Sequence, residues 1–212
     1  MESLAHILRF FQAGGTFMYP IAIVMVLGIS IAVERFLFLN RVEKENRELW
    51  GRVQPLISGG DFAGAEDLVR DSETAIGRIL NNGIAQAKTD PRRSELETAT
   101  EEGMMEVLPA LEKRTHYLAT FSNMSTLLGL LGTVIGLIGA FGALGNADPA
   151  QKADLLSSGI SEAMNCTAFG LMVAIPTLLM HSYLTAKTTE LVDALEAVCA
   201  RFVGAVTART RK

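Results

Sequence analysis

Apolar residues along this chain follow two patterns, long unbroken runs and spaced helical faces. Gly14–Val33, Leu118–Ala147 and Ala163–Ala186 contain no Asp, Glu, Lys or Arg. A helix needs about 20 apolar residues to cross a bilayer core of about 30 Å, and each run is long enough. The stretch between the first two runs is polar and rich in helix formers. Within it, Asp61 ahead of Phe62, Ala65, Leu68 and Val69 predicts a short amphipathic helix opening after the Ser58-Gly59-Gly60 break. Ile76, Ile79, Leu80, Ile84 and Ala87 mark a second helical face. Asp90-Pro91 and the capping box Ser94-Glu-Leu-Glu97 predict the start of a third helix, bent at Pro109 and running on into the second apolar run. After the third run, Leu184, Leu191, Leu195, Val198, Phe202 and Ala205 fall at heptad-compatible spacings. That face predicts a helical tail packed either on neighbouring copies or on the chain's own 91–115 helix. Asp148-Pro149 predicts the cap and first turn of the last helix, so that spans two and three form an antiparallel hairpin. No strand-like alternation occurs anywhere.

The expected fold is all-α, an integral membrane protein with three transmembrane helices and long helices extending into the cytoplasm. Residues 1–15 form an interfacial helix, with Leu4, Leu8 and Phe11 opposite Glu2, Arg9 and Gln12, ending at Gly14-Gly15. Transmembrane helix 1 covers 16–40, a cytoplasmic helical region 41–117, and transmembrane helix 2 covers 118–147. A short periplasmic loop and helix start occupy 148–161, transmembrane helix 3 covers 162–186, and 187–212 is a cytoplasmic helical tail. The first span reads as retained rather than cleaved. No basic cluster precedes it, and its apolar core exceeds the 7–15 residues of a signal peptide.

Composition agrees: 49% of the 212 residues are hydrophobic, too many for an ordinary soluble domain. Basic residues then give the orientation. Arg41, Lys44, Arg47 and Arg52 follow span one, Lys113 and Arg114 precede span two, and Lys187, Arg201, Arg209, Arg211 and Lys212 follow span three. The positive-inside rule puts the N-terminus outside and the 41–115 region and C-terminal tail in the cytoplasm. No basic patch with interleaved aromatics suggests nucleic acid. Cys166 and Cys199 lie about 50 Å apart along one helix, beyond disulfide reach within a chain.

Polar positions inside the runs are few and regularly spaced. Ser122, Ser125/Thr126, Gly129, Gly132/Thr133, Gly136, Gly139/Ala140 and Ala143 draw one face of span two, suited to close helix packing in lipid. Span three offers Cys166, Thr167, Gly170, Ala174 and Thr177, with Glu162 at its outer end. Glu162 reads either as a carboxylate turned to a bundle interior or water, or as an interfacial residue. Thr133 reads either as a pathway hydroxyl or as one bonded back to a carbonyl a turn earlier. His181 reads foremost as an interfacial side chain. No carboxylate or amine stands at the centre of any span, so a proton path would need a titratable group from a partner. Walker loops, metal-ligand clusters and nucleophile–base pairs are not evident, which leaves an enzyme reading without residues, a metal site without ligands and a cofactor without a motif.

Gly129-Leu-Leu-Gly-Thr-Val-Ile-Gly-Leu and Gly159-Ile-Ser-Glu-Ala-Met-x-x-Thr-Ala-x-Gly-Leu-x-Val-Ala-Ile-Pro176 resemble the two characteristic helices of the MotA/TolQ/ExbB proton-channel family. The three-span layout is similar to its ExbB/TolQ branch. That resemblance implies a homo-oligomeric ring, a homopentamer, in the bacterial cell inner membrane. It implies an ExbD/TolR-type single-span partner whose membrane Asp carries protons, and a TonB- or TolA-type protein that the motor energises for outer-membrane transport or integrity. By motif, Thr133, Thr167 and Glu162 correspond to ion-pathway positions, while Gly129, Gly132, Gly136, Gly139, Gly170 and Ala174 would pack helices. Asn165-Cys166 departs from the small aliphatic pair expected before Thr167, which bears on the coupling ion, proton or sodium. The alternatives are a non-conducting membrane scaffold, and a stator-like motor for motility or another process.

Overall fold

The computed structural model describes residues 10–11, 14–145 and 148–210. Among them six helices follow one another: α1 (Met18–Gly59), α2 (Phe62–Arg70), α3 (Ala75–Thr89), α4 (Arg93–Glu112), α5 (Thr115–Ala143) and α6 (Lys152–Thr210). No strand occurs among these residues. Three helical stretches are long and apolar enough to cross a membrane, in α1, in α4–α5 and in α6. The chain is a multi-pass membrane protein. Its backbone forms two compact units: Met1–Val33 with Arg114–Tyr183, and Glu34–Lys113 with Leu184–Lys212.

The first unit holds the apolar runs. Met18 and Ile21 of α1 pack with Cys166, Phe169 and Val173 of α6, and Phe17, Met25 and Leu128 join them from the edge. The Phe11 ring meets Phe169 edge-on at 5.0 Å. Of the predicted N-terminal interfacial helix, residues 1–9, 12 and 13 lie outside the described residues. Large apolar side chains elsewhere in the runs point outward, including Ile23, Leu127, Leu130, Ile138, Ile175 and Leu179. In water such a surface would be untenable, but in lipid it is the expected exterior.

The second unit is built like a small soluble helical domain. Gly60, at φ +79°, ends α1 in a left-handed turn that L side chains rarely adopt. Asp61 then caps α2 by accepting the Gly64 N–H at 2.9 Å, as its position predicts. Thr74 caps α3 through Gly77 N–H at 3.1 Å. The predicted α3 face is buried at Ile76, Ile79, Leu80 and Ile84. Leu184, Leu191, Leu195, Val198 and Phe202 of α6 are buried as well, and the Phe202 ring closes over Gly83 of α3. The heptad-like tail therefore packs on its own chain. Lys187 pairs with Glu43 at 2.9 Å, and Arg209 donates to the Ser58 and Gly59 carbonyls at the end of α1.

Three local expectations are corrected. Ser94 is not a cap: α4 starts one residue earlier, and Asp90 folds onto Arg92, taking its N–H at 3.1 Å and its Nε at 2.7 Å. Pro109 does not mark the bend ahead of span two, because it sits within the last turn of α4. The break comes at Lys113–Arg114, where Arg114 adopts φ +65°. Asp148 does not cap α6 directly. Its carbonyl accepts Gln151 N–H at 2.9 Å in a separate turn, and the helix begins at Lys152.

Candidate ion pathway

α5 and α6 approach closely because small residues face each other along both. A Cβ added at Gly129 would stand 3.2 Å from the Thr167 Cα and 3.3 Å from the Gly170 Cα. At Gly170 it would meet the Ser125 carbonyl oxygen at 2.6 Å, inside any tolerable contact. Gly132 faces Cys166, Gly136 faces Ala163, and Ala140 lies against Gly159. Ala174 is buried, and its carbonyl accepts the Ser122 hydroxyl at 2.8 Å. Gly139 stands apart from the stripe, with nothing within 4 Å of the position its Cβ would take. One residue further on, Ala140 makes the helix contact that spacing assigns to this turn.

That close approach brings Thr133 and Thr167 together. Their hydroxyl oxygens lie within hydrogen-bond reach of each other and of the Gly129 carbonyl, 3.0 Å from Thr133 and 2.9 Å from Thr167, and with one proton each they make two of these three bonds at a time. The back-bonded reading of Thr133 is the one seen, with the hydroxyl of Thr167 on α6 standing beside it. Thr126, Ser125 and Thr177 show the ordinary alternative, each bonded only within its own helix. Two O–H groups sharing one carbonyl leave oxygen lone pairs over. The pair can accept a proton-bearing group without change, and can donate to an anion once one hydroxyl leaves Gly129. It adds no charge of its own to the apolar run, where a charge would be costly.

Glu162 is not part of this pair. It is exposed, and its carboxylate lies against Gly15, whose φ of +74° ends the segment leading into α1. Sequence reasoning missed this contact, and it also missed that Cys166 fills the space in front of Gly132. The signal for the second was present, since Cys166 and Gly170 are one helical turn apart on the face that carries Ala163 and Ala174.

A profile of the MotA/TolQ/ExbB proton channel family matches residues 71–197, more than half of the chain. The chain belongs to this family. An ExbB homolog described as a biopolymer transport protein, from Methanothermobacter thermautotrophicus, is 29% identical over 194 residues, covering 91% of this chain and 67% of that protein. A biopolymer transport protein described as ExbB-like 3, from Synechocystis sp., is 29% identical over 169 residues, covering 79% of this chain and 80% of that one. Membership makes the chain a membrane channel component and agrees with the resemblance drawn from the two helical motifs. The match begins at residue 71, so it takes in α3 and α4, about half of the second unit, along with the α5–α6 hairpin.

Proposed function

We propose that the chain is the ExbB/TolQ-like subunit of an inner-membrane motor driven by the proton-motive force. Identical copies form a ring, a pentamer by analogy with the family, around the span of an ExbD/TolR-type partner. The partner's Asp takes and releases protons beside Thr133 and Thr167. The work is passed to a TonB- or TolA-type protein for outer-membrane transport or integrity. In this reading the N-terminus is periplasmic and the second unit is cytoplasmic, which accords with the basic residues flanking the spans.

The observation that carries the reading is the convergence of the two threonine hydroxyls on the Gly129 carbonyl. Thr133 lies at the middle of an apolar run that holds no carboxylate or amine. A neutral polar point at that depth suits a mobile partner carboxylate, whose protonated and ionised forms it can meet in turn. Glu162 would serve at the outer mouth, and Gly139, open in the single chain, would pack against a neighbouring copy.

The test is proton flux into vesicles holding the chain with its single-span partner. Thr133→Val and Thr167→Val keep shape while each removes a hydrogen-bonding group worth about 1 kcal/mol, so each should slow flux several-fold with assembly intact. Unchanged flux in both variants, with the ring still formed, would leave the hydroxyls as a packing device and the scaffold reading in place.

A further inference from the structure

The second unit contains a cavity of about 500 Å³, within the 300–1,000 Å³ typical of small-ligand sites. Its walls divide by chemistry. Phe38, Val42, Val107 and Leu111 give an apolar side. Phe38 follows the first apolar run on α1, and Leu111 precedes the second, so this side belongs to the segments entering the bilayer. The other side carries Arg41 and Arg78, the latter in the first turn of α3, whose positive dipole end also favours an anion.

Asn46 also lines the cavity and is only 5% exposed. Its Oδ1 accepts the Ile76 N–H at 3.1 Å, while its Nδ2 is buried with no hydrogen-bond partner among the described residues. A buried donor without an acceptor costs about 1–3 kcal/mol, so an amide placed at the cavity wall calls for an acceptor. The carboxylates set the remaining requirement. Glu45 is engaged with Arg41 at 2.7 Å. Glu73 and Glu106 border the same space and make no ion pair among the described residues. A simple anion would leave these two charges opposed to it, whereas a ligand with a phosphate at one end and a cation at the other satisfies both sides.

We propose that this cavity seats the headgroup of an aminophospholipid, a phosphodiester bearing a primary ammonium, drawn from the adjoining leaflet. Arg41, Arg78 and the Asn46 amide hold the phosphate through charge-assisted hydrogen bonds. Glu73 and Glu106 hold the ammonium, and the acyl chains leave along Phe38 and Leu111. In the orientation proposed above, and only there, the adjoining leaflet is the inner one.

The experiment is native mass spectrometry of the full chain released from nanodiscs of phosphatidylcholine doped with phosphatidylethanolamine or phosphatidylglycerol. Phosphatidylethanolamine should be retained roughly tenfold over phosphatidylcholine, whose trimethylated nitrogen cannot hydrogen-bond. Arg78→Gln should reduce retention of both doped lipids. Glu73→Gln with Glu106→Gln should reduce retention of phosphatidylethanolamine alone. All three side chains are exposed, so folding is not at stake. Equal retention of phosphatidylcholine, or variants that behave like the parent chain, would overturn the site. Displacement of the lipid by soluble phosphoethanolamine at comparable concentration would overturn the membrane source. None of these readings depends on proton flux, so failure of the motor reading leaves them intact.

Discussion

Two single residues show how burial converts ordinary side chains into devices. Arg35 is 2% exposed, donates to the Ala110 carbonyl at 3.2 Å and to that of Leu111, and stacks 4.7 Å over the Phe38 ring. Those carbonyls belong to the last turn of α4, which has no continuing helix to satisfy them once the chain turns at Lys113–Arg114. Hydrogen bonds to charged groups contribute about 1.5–3 kcal/mol, so Arg35→Leu should destabilise the second unit by at least that much. Arg35→Lys should lose less, because one ammonium can still reach one carbonyl. Thermal unfolding in detergent, followed by helical circular dichroism, measures the difference, and equal melting of all three proteins would deny Arg35 this role. Cys199 is a milder case. Burial, with Glu196 and Glu101 adding to it, pushes its thiol up to about 11. An exposed cysteine titrates near 8.5 and is substantially thiolate at pH 8, while Cys199 would be thiolate in only about one molecule in a thousand. Its alkylation at pH 8 should therefore run roughly a hundredfold slower than that of an exposed thiol. The rate should keep climbing as pH rises toward 11, and a plateau above pH 9 would contradict the shift.

At the scale of elements, the α5–α6 hairpin depends on backbones in contact rather than on large side chains. Gly170→Ala would force its new methyl onto the Ser125 carbonyl, 2.6 Å away, where no flexible side chain can yield. Overpacking of this kind costs about 1–3 kcal/mol, and the same shift would separate Thr133 from Thr167. Gly139→Ala meets nothing within 4 Å in the single chain, and replacing glycine in a helix interior stabilises by up to about 1 kcal/mol. Melting of the two variants should move in opposite directions, and parallel shifts would show that the hairpin contacts are not those described. The spans and the helices of the second unit were legible because unbroken apolar runs and well-placed caps such as Asp61 are local signals. The turn at Lys113–Arg114 was not legible, since it depends on Arg35 arriving from a helix far away in sequence to take the freed carbonyls. Nor could the spacing of Leu191, Leu195 and Phe202 say what covers them; an apolar face specifies burial without naming its partner. The two threonines were legible through their motifs, but their shared bond to Gly129 is a property of helix approach that no one-dimensional pattern encodes.

For the whole molecule, the exposed apolar surface of the first unit poses the remaining question, because lipid and a second copy of the chain cover such a surface equally well. Leu127, Leu130, Val134 and Ile138 of α5 all face outward along one stripe, and Gly139, about 100° round the helix from Ile138, offers an open notch where a neighbouring backbone could approach. Association in lipid draws on packing at small residues rather than on apolarity, so Gly139 is where a ring contact should form if copies meet along α5. In a chain with Cys166→Ala and Cys199→Ala, a Gly139→Cys substitution near a neighbouring α5 should give disulfide-linked copies under mild oxidant. Bridging requires Cα atoms within about 7 Å, so Leu130→Cys, about 180° round the helix from Gly139, should link far less. Efficient linking at Gly139 alone would place a copy-to-copy seam there and give the ring a defined register. Equal linking at both positions would indicate random collisions, and absence of linking would assign this face of α5 to lipid or to another partner.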